Sequence, residues 1–350
     1  MIKYLGSKKR LLPDIGKLSR AFCPNPGTFL DTFSGTCRVG HYFKEKGHTV
    51  YANDLGNYAY VIAQCLIEGD VEKHTRDANS LIRELNDLPG KEGWFTQTYC
   101  KDSKYFKPKN GRKVDAIREE IEKKNLPPVL KSILLTSLML AADAVDSTCG
   151  VQMAYLKGWA TRADNDLTMK LPLLVEGPVG KAYLGDAVDI GKKVGKVQIA
   201  YLDPPYNQHS YLGNYHIWES LVLWDKPEVY GIAKKREDCR TRKSDFNKKG
   251  EILRALRETI SGIVADLYIV SFNNEGYISV GDMTDMLNQL GVGYVRCKSV
   301  NYKRYVGAQI GIYNPLGEKV GKVTHTTNKE LLFTVSKLTP TIEAEYIVEA

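Results

Sequence analysis

Thr28-Phe29-Leu30-Asp31-Thr32-Phe33-Ser34-Gly35-Thr36-Cys37-Arg38 begins as a strand, turns through a glycine and enters a helix-like stretch that runs from about Arg38 to Lys46 and is stopped by Gly47. His48-Thr49-Val50-Tyr51-Ala52 reads as the next strand and ends at Asn53-Asp54. Strand, loop, helix, strand is the first half of an open α/β sheet. Further strands are expected at 182–184, 197–202, 267–272 and 331–335, with helices over about 251–265 and 284–290, the latter stopped by Gly291.

Residues 71–178 break that alternation. They are rich in helical patterning, notably 116–124 and 129–142, and end in a polar stretch over 143–171. The expected organisation is one α/β domain formed by 1–70 and 179–350, with 71–178 as an inserted helical subdomain.

The composition, 43% hydrophobic and 26% charged over 350 residues, is that of an ordinary globular protein with a sizeable core. The start, Met1-Ile2-Lys3-Tyr4-Leu5-Gly6, lacks the apolar core of a signal peptide. The longest apolar segment, about 133–145, is interrupted by Thr136, Ser137 and Asp143 and is too short for a bilayer, so a cytoplasmic location is expected and no membrane partner. Seven scattered cysteines form no Cys-x-x-Cys pair and six histidines no His-x-x-x-His pair, so neither a disulfide framework nor a metal is expected. The net charge of +8 is unevenly spread, with eight Lys/Arg against three acids between Lys234 and Lys249. Such a run is either a solvated loop or a grip on nucleic-acid phosphates.

Two constellations carry chemistry. In the first, Gly35 lets a ligand approach the backbone closely and Asp31 suits an ammonium group. Asp54 ends the next strand about 20 residues beyond Gly35, where an acid grips a ribose diol. Cys37 stands where a dinucleotide fingerprint would have a second glycine, so a single nucleoside fits better than NAD. Asp186, after another expected strand, is either an acceptor for an adenine amine or an exposed loop acid. In the second constellation Asp203-Pro204-Pro205-Tyr206 follows the apolar run 197–202. The prolines stiffen the turn, and a carboxylate beside an aromatic ring can hold a flat heterocyclic amine.

Tyr4 to Arg10, Asp31 to Arg38, Asp54 and Asp203 to Tyr206 occur in an order that resembles the alpha-group DNA adenine methyltransferases, the Dam-like family. Ser271-Phe272-Asn273-Asn274-Glu275-Gly276 and Lys329-Glu330-Leu331-Leu332-Phe333 look like its later strands, so the similarity covers roughly 1–60 and 180–335. The resemblance implies a Rossmann-like, mostly parallel seven-stranded methyltransferase sheet with an inserted helical DNA-recognition subdomain, using S-adenosylmethionine. It implies that Tyr4, Gly6 and Lys8 lie at the cofactor's methionine end, that Asp31, Phe33 and Gly35 line its pocket, that Asp54 binds its ribose and that Asp186 binds its adenine.

The implied reaction is methyl transfer to the N6 amine of a flipped-out adenine in double-stranded DNA, with Asp203, Pro204, Pro205 and Tyr206 as the catalytic turn. Candidate DNA contacts are Gln152, Tyr155, Lys157 and Arg162 in the insert, and Lys234, Lys235, Arg236, Arg240, Arg242 and Lys243 in the basic run. A cognate restriction endonuclease is a possible partner. Cytosine C5 chemistry is disfavoured because no Pro-Cys occurs. Transfer to cytosine N4 or to RNA, and a catalytically silent DNA-binding subunit, are the alternatives.

Overall fold

The structure, a computed structural model, describes residues 1–206, 208, 210–274, 276–303, 312–313, 319–321 and 327–341. Glu275, inside one of the quoted motifs, lies outside them.

Seven strands form the central sheet: β1 (Thr28–Asp31), β2 (Thr49–Asp54), β3 (Lys181–Leu184), β4 (Lys196–Leu202), β5 (Val264–Asn273), β6 (Tyr294–Lys303) and β7 (Thr327–Ser336). Their spatial order is β3-β2-β1-β4-β5-β7-β6. The first five run parallel, and β7 is antiparallel to both its neighbours. This is the Rossmann-like, mostly parallel seven-stranded arrangement expected. Both faces of β1 and β4 are covered, which explains their unbroken apolar runs. β6 is the strand that the sequence hides. It mixes Arg296, Lys298 and Asn301 with apolar residues because it is an edge strand, and Lys298 pairs there with Asp14 at 2.8 Å.

Register positions the chemistry. Asp31 pairs with Tyr201, two residues before Asp203, and with Ala52, two residues before Asp54. Asp54 pairs with Leu184, two residues before Asp186. Parallel pairing therefore brings all four aspartates to one edge of the sheet. Between β1 and β4 the strand order reverses, and the crevice there is where ligands bind in open α/β sheets.

The helices are α1 (Leu12–Phe22), α2 (Arg38–Glu45), α3 (Asn57–Ala63), α4 (Val71–Asp87), α5 (Pro108–Lys123), α6 (Pro128–Ala144), α7 (His216–Leu223), α8 (Ile252–Gly262) and α9 (Val280–Gln289), besides shorter turns. Asp70 caps α4 by accepting from the Lys73 amide at 2.8 Å, and Ser279 caps α9 by accepting from Asp282 at 3.0 Å. Helices α4 to α6 lie in the 71–178 stretch, as the helical patterning predicts. They share one core with a face of the sheet: Ile133, Leu134 and Leu138 of α6 belong to the same buried cluster as Phe29, Ile199 and Ile269. Arg118 of α5 is wholly buried and donates to the Leu221 and Val222 carbonyls at 2.7 and 3.3 Å, fastening the insert to the end of α7. Among the described residues no helix is long and apolar enough to cross a membrane.

Candidate active site

A cavity opens at the carboxyl edge of β1, β2 and β4. Tyr4, Gly6, Lys8, Asp31, Phe33, Gly35, Asp54 and Asp186 all line it, together with Asp203 and Pro205 from the turn after β4. The two motif sets, 170 residues apart in sequence, thus meet in one space.

The first loop is tightly fixed. The Thr32 amide donates to the Tyr201 carbonyl at 3.0 Å, and the Ser34 amide to the Asn53 carbonyl at 2.9 Å. Gly35 has φ of +50°, and a Cβ there would meet the Tyr4 ring at 3.1 Å, so only glycine fits without displacement. Cys37 also adopts a left-handed conformation (φ 55°, ψ 28°). The loop keeps a bend that glycine would adopt freely, at a cost on the order of 1 kcal/mol.

The carboxylates are held by backbone amides. Asp54 accepts from Gly35 at 2.8 Å and from Gly56 at 2.9 Å, and Asp31 accepts from Gly40 at 2.9 Å. Burial pushes the Asp31 carboxyl up to about 7; the Gly40 amide opposes this, while Asp203 and Asp54 add to it by repulsion. Burial likewise raises Asp54, against the pull of the Gly56 and Gly35 amides. Asp203 is pushed up to about 6 by burial, opposed by Lys8 and reinforced by Glu330. Lys8 Nζ lies 3.0 Å from Asp203 Oδ1 and 3.5 Å from Glu330 Oε2. Burial alone would lower the lysine, but these two acids outweigh it and hold it well above its ordinary value.

Thr32 Oγ1, Ser34 Oγ and Asn53 Oδ1 are buried, have no hydrogen-bond partner among the described residues, and belong to residues lining the cavity. Orphaned polar atoms beside two aspartates suit a polar, cationic nucleoside. No group of three or more His, Cys, Asp or Glu placed to hold a metal occurs among the described residues. Pro204 is buried, and neither it nor Tyr206 lines the cavity. Tyr206 meets Phe272 edge-on with ring centroids 5.7 Å apart, and its carbonyl accepts from the Tyr277 amide at 3.1 Å.

The expected DNA contacts need correction. Gln152 is 3% exposed, and its backbone and side chain are bonded to Asn214, Tyr105, His216 and Ile217 at 2.8–2.9 Å. It braces α7 through its backbone and its side-chain oxygen. Tyr155 packs edge-on against Tyr105, and Arg162 is engaged by Asp146 at 2.7 Å and the Thr148 carbonyl at 2.5 Å. Lys157 alone of these four is exposed.

The basic run divides in the same way. Arg236 is 4% exposed and makes a two-pronged pair with Asp225 at 2.7 and 2.6 Å, so it is a structural strut and not a phosphate contact. Arg242 pairs with the buried Glu219 at 2.9 Å and lines the cavity. Arg240 covers the Tyr230 ring at 4.1 Å and pairs with Glu237, and Lys234 lies 3.7 Å from Asp102. Lys235 is half-buried and Lys243 exposed.

The run is therefore neither a free loop nor only a phosphate grip. Ser244, Phe246 and Asn247 form a wall of the cavity, and Phe246 meets Phe33 edge-on at 4.9 Å. A lone aromatic inside a basic stretch was the sequence signal for this wall. Tyr58 and Tyr211 also line the cavity, and Glu219 and Glu330 stand behind it; nothing local in the sequence marks these four, Glu330 within Lys329 to Phe333 included.

Both Asp31 and Asp203 have folded-state values above the unfolded carboxylate value of about 4. Their contribution to stability is complete below about pH 4 and is lost as pH rises through the folded values near 6 and 7. The ligand-free protein is expected to lose several degrees of melting temperature between pH 5 and pH 8, and Asp31→Asn to flatten that slope in thermal melts. Gln152→Leu leaves the Ile217 amide without its acceptor and is expected to cost about 2 kcal/mol in denaturant unfolding.

Comparison with known proteins places the sequence in a family. Residues 4–286 match the family model of D12 class N6 adenine-specific DNA methyltransferases. The chain is 33% identical to the modification methylase StsI of Streptococcus sanguinis, over 87% of this chain and 49% of that protein, so it spans about half the length of this relative. It is 34% identical to the type II methyltransferase M.NlaIII of Neisseria lactamica, covering 83% of this chain and 89% of that one. It is 31% identical to the type II methyltransferase M.CviAII of Paramecium bursaria Chlorella virus 1, covering 91% and 96%. With the family model spanning most of its length and the resembling motifs meeting in one cavity, the chain belongs to the D12 class N6 adenine-specific DNA methyltransferase family.

Proposed function

We propose that this protein is a site-specific methyltransferase that moves a methyl group from S-adenosylmethionine to the N6 amine of an adenine swung out of double-stranded DNA. The observation that carries this reading is the single cavity that receives Asp203 and Pro205 from one strand end and Asp31, Gly35 and Asp54 from two others. S-adenosylmethionine, when bound, supplies an electrophilic methyl on a sulfonium centre.

The chain's own residues do the rest. Asp31 faces the cationic amino-acid end of the cofactor, with Tyr4, Gly6 and Lys8 beside it, and Phe33 and Gly35 line the pocket. Asp54 takes the ribose and Asp186 the adenine amine of the cofactor. On the acceptor side, Lys8 takes Asp203 Oδ1, so Oδ2 is the oxygen left to an incoming amine. The Pro204 carbonyl takes the second amine hydrogen, and Pro205 keeps the turn rigid. The two acceptors draw the nitrogen toward tetrahedral geometry and free its lone pair, and the carboxylate favours the positive charge that develops there. Transfer is direct, and the protein contributes alignment. Tyr206 stacks on the base and offsets part of the few kcal/mol that flipping costs.

Residues 71–178 serve as the target-recognition part, with Lys157 its exposed candidate contact, and 1–70 with 179–350 as the catalytic part. Lys234, Lys235, Arg240 and Lys243 contact phosphates. The relatives' names, modification methylase and type II methyltransferase, support a restriction-modification setting with a cognate endonuclease. DNA as substrate supports a cytoplasmic location, at the nucleoid when bound.

Asp203→Ala is expected to abolish labelled-methyl transfer to DNA while cofactor affinity, measured by calorimetry, stays within a few-fold; near-normal turnover would sink the assignment. Replacing Lys234, Lys235, Arg240 and Lys243 together with alanine should weaken duplex binding and lower the salt-dependence slope by about 0.9 per lost phosphate contact. An unchanged slope would show that these cations serve only the fold.

A further inference from the structure

Glu330 lies on β7 opposite Asn273 of β5, at the back of the acceptor side. Glu330 is 3% exposed, as closed off as Lys8 at 5%. One oxygen lies 3.5 Å from Lys8 Nζ and the other accepts from Asn273 Nδ2 at 3.3 Å. Lys8 already has a partner in Asp203 at 3.0 Å. A buried lysine needs one counter-charge, and this one has two.

Burying an excess negative charge works against folding, so the second acid has no rationale in stability alone. It has one in the chemistry. A Lys8–Asp203 pair is neutral as a whole, and a neutral pair offers little to a nitrogen that becomes positive as it attacks. With Glu330 the three groups sum to one negative charge. Among the described residues the phenols of Tyr201, Tyr206 and Tyr211, a group whose ordinary value near about 10 leaves it uncharged at neutral pH, and Asp31 across the cavity also bear on Lys8 and Asp203.

We infer that Glu330 is a positioning residue of the transfer step: it holds Lys8 from behind and offsets its charge, keeping the acceptor side of the cavity net negative. This rests on the reading of Asp203 as the acceptor of the adenine amine. The same geometry makes Asp203 a better sink for the proton that the methylated amine must shed, because Glu330 raises its affinity for protons.

The test is Glu330→Gln, which keeps the shape and the contact with Asn273 but removes the charge. Single-turnover transfer of labelled methyl to duplex DNA is measured at saturating S-adenosylmethionine, alongside calorimetric binding of S-adenosylhomocysteine. Transfer is expected to slow by about 10- to 100-fold with inhibitor affinity within about threefold, and the acid limb of the pH–rate profile to move to lower pH. The double variant Lys8→Met, Glu330→Gln restores one net negative charge and should recover at least about fivefold over Glu330→Gln. A wild-type rate and an unmoved acid limb in Glu330→Gln, or a double variant as slow as that single variant, overturns the inference. If Glu330→Gln does not fold, the double variant is read against wild type: a loss within about 30-fold supports the inference and a greater one overturns it. Asp203→Ala in the same assay separates the two claims. Retained turnover there sinks the acceptor reading itself, whereas a dead Asp203→Ala beside an undisturbed Glu330→Gln sinks only the role of Glu330.

Discussion

Burying several carboxylates in one cavity is the constraint on which the rest of this structure depends. Parallel register brings Asp31, Asp54 and Asp203 to the same sheet edge, where Asp203 and Asp54 raise the cost of ionising Asp31 beyond that of burial. The fold answers locally, with a different device for each acid. Asp54 is netted by two glycine amides, Asp31 is tied to the first turn of α2 through Gly40, and Asp203 is given an ammonium group. The glycines are thus part of the electrostatics as well as of the turn. Each exposes an N–H with no side chain in the way, and those N–H groups keep buried acids ionisable near neutral pH.

The allocation of cations follows from the same pressure. A net charge of +8 suggests a surface prepared for DNA, yet several of the basic groups in the run 234–249 are spent inside the protein. Arg236 locks Asp225 and Asp238, and Arg242 neutralises Glu219, which in turn accepts from the Tyr58 amide at 3.1 Å and from Asn57 at 2.7 Å. The run becomes a wall of the cavity through Phe246 and Arg242 while Lys243 stays outside. One segment therefore joins the wall of the cavity to the outer surface on which Lys243 lies.

The fold was largely legible because its signals are local. β1 has the bounds that its apolar run predicts, α2 ends where Gly47 adopts φ of +88°, and the segments at 181–184, 196–202 and 264–273 are strands as their composition suggests. β6 was not legible. An edge strand buries one face only, and its Arg and Lys residues blur the pattern. The cavity lining was legible where a motif ends a strand, at Asp31, Gly35, Asp54 and Asp203. It was illegible where a residue arrives from a distant element, as Phe246 does from the basic run, and Glu330 of β7, which stands behind Lys8, was equally hidden.

Sequence by itself determined the residue types and their order: a glycine turn between two acids, a proline-stiffened turn after an apolar strand, and a helical stretch between them. These depend on short-range sterics and periodicity, which a linear chain carries in full. Tertiary structure alone decided which polar groups are free to act. Gln152, Arg162 and Arg236 have side chains suited to nucleic acid, yet each is engaged by a partner that pairing and packing bring within 3 Å. A hydrogen bond or ion pair depends on distance in space, and distance in space is what separation along the chain does not encode.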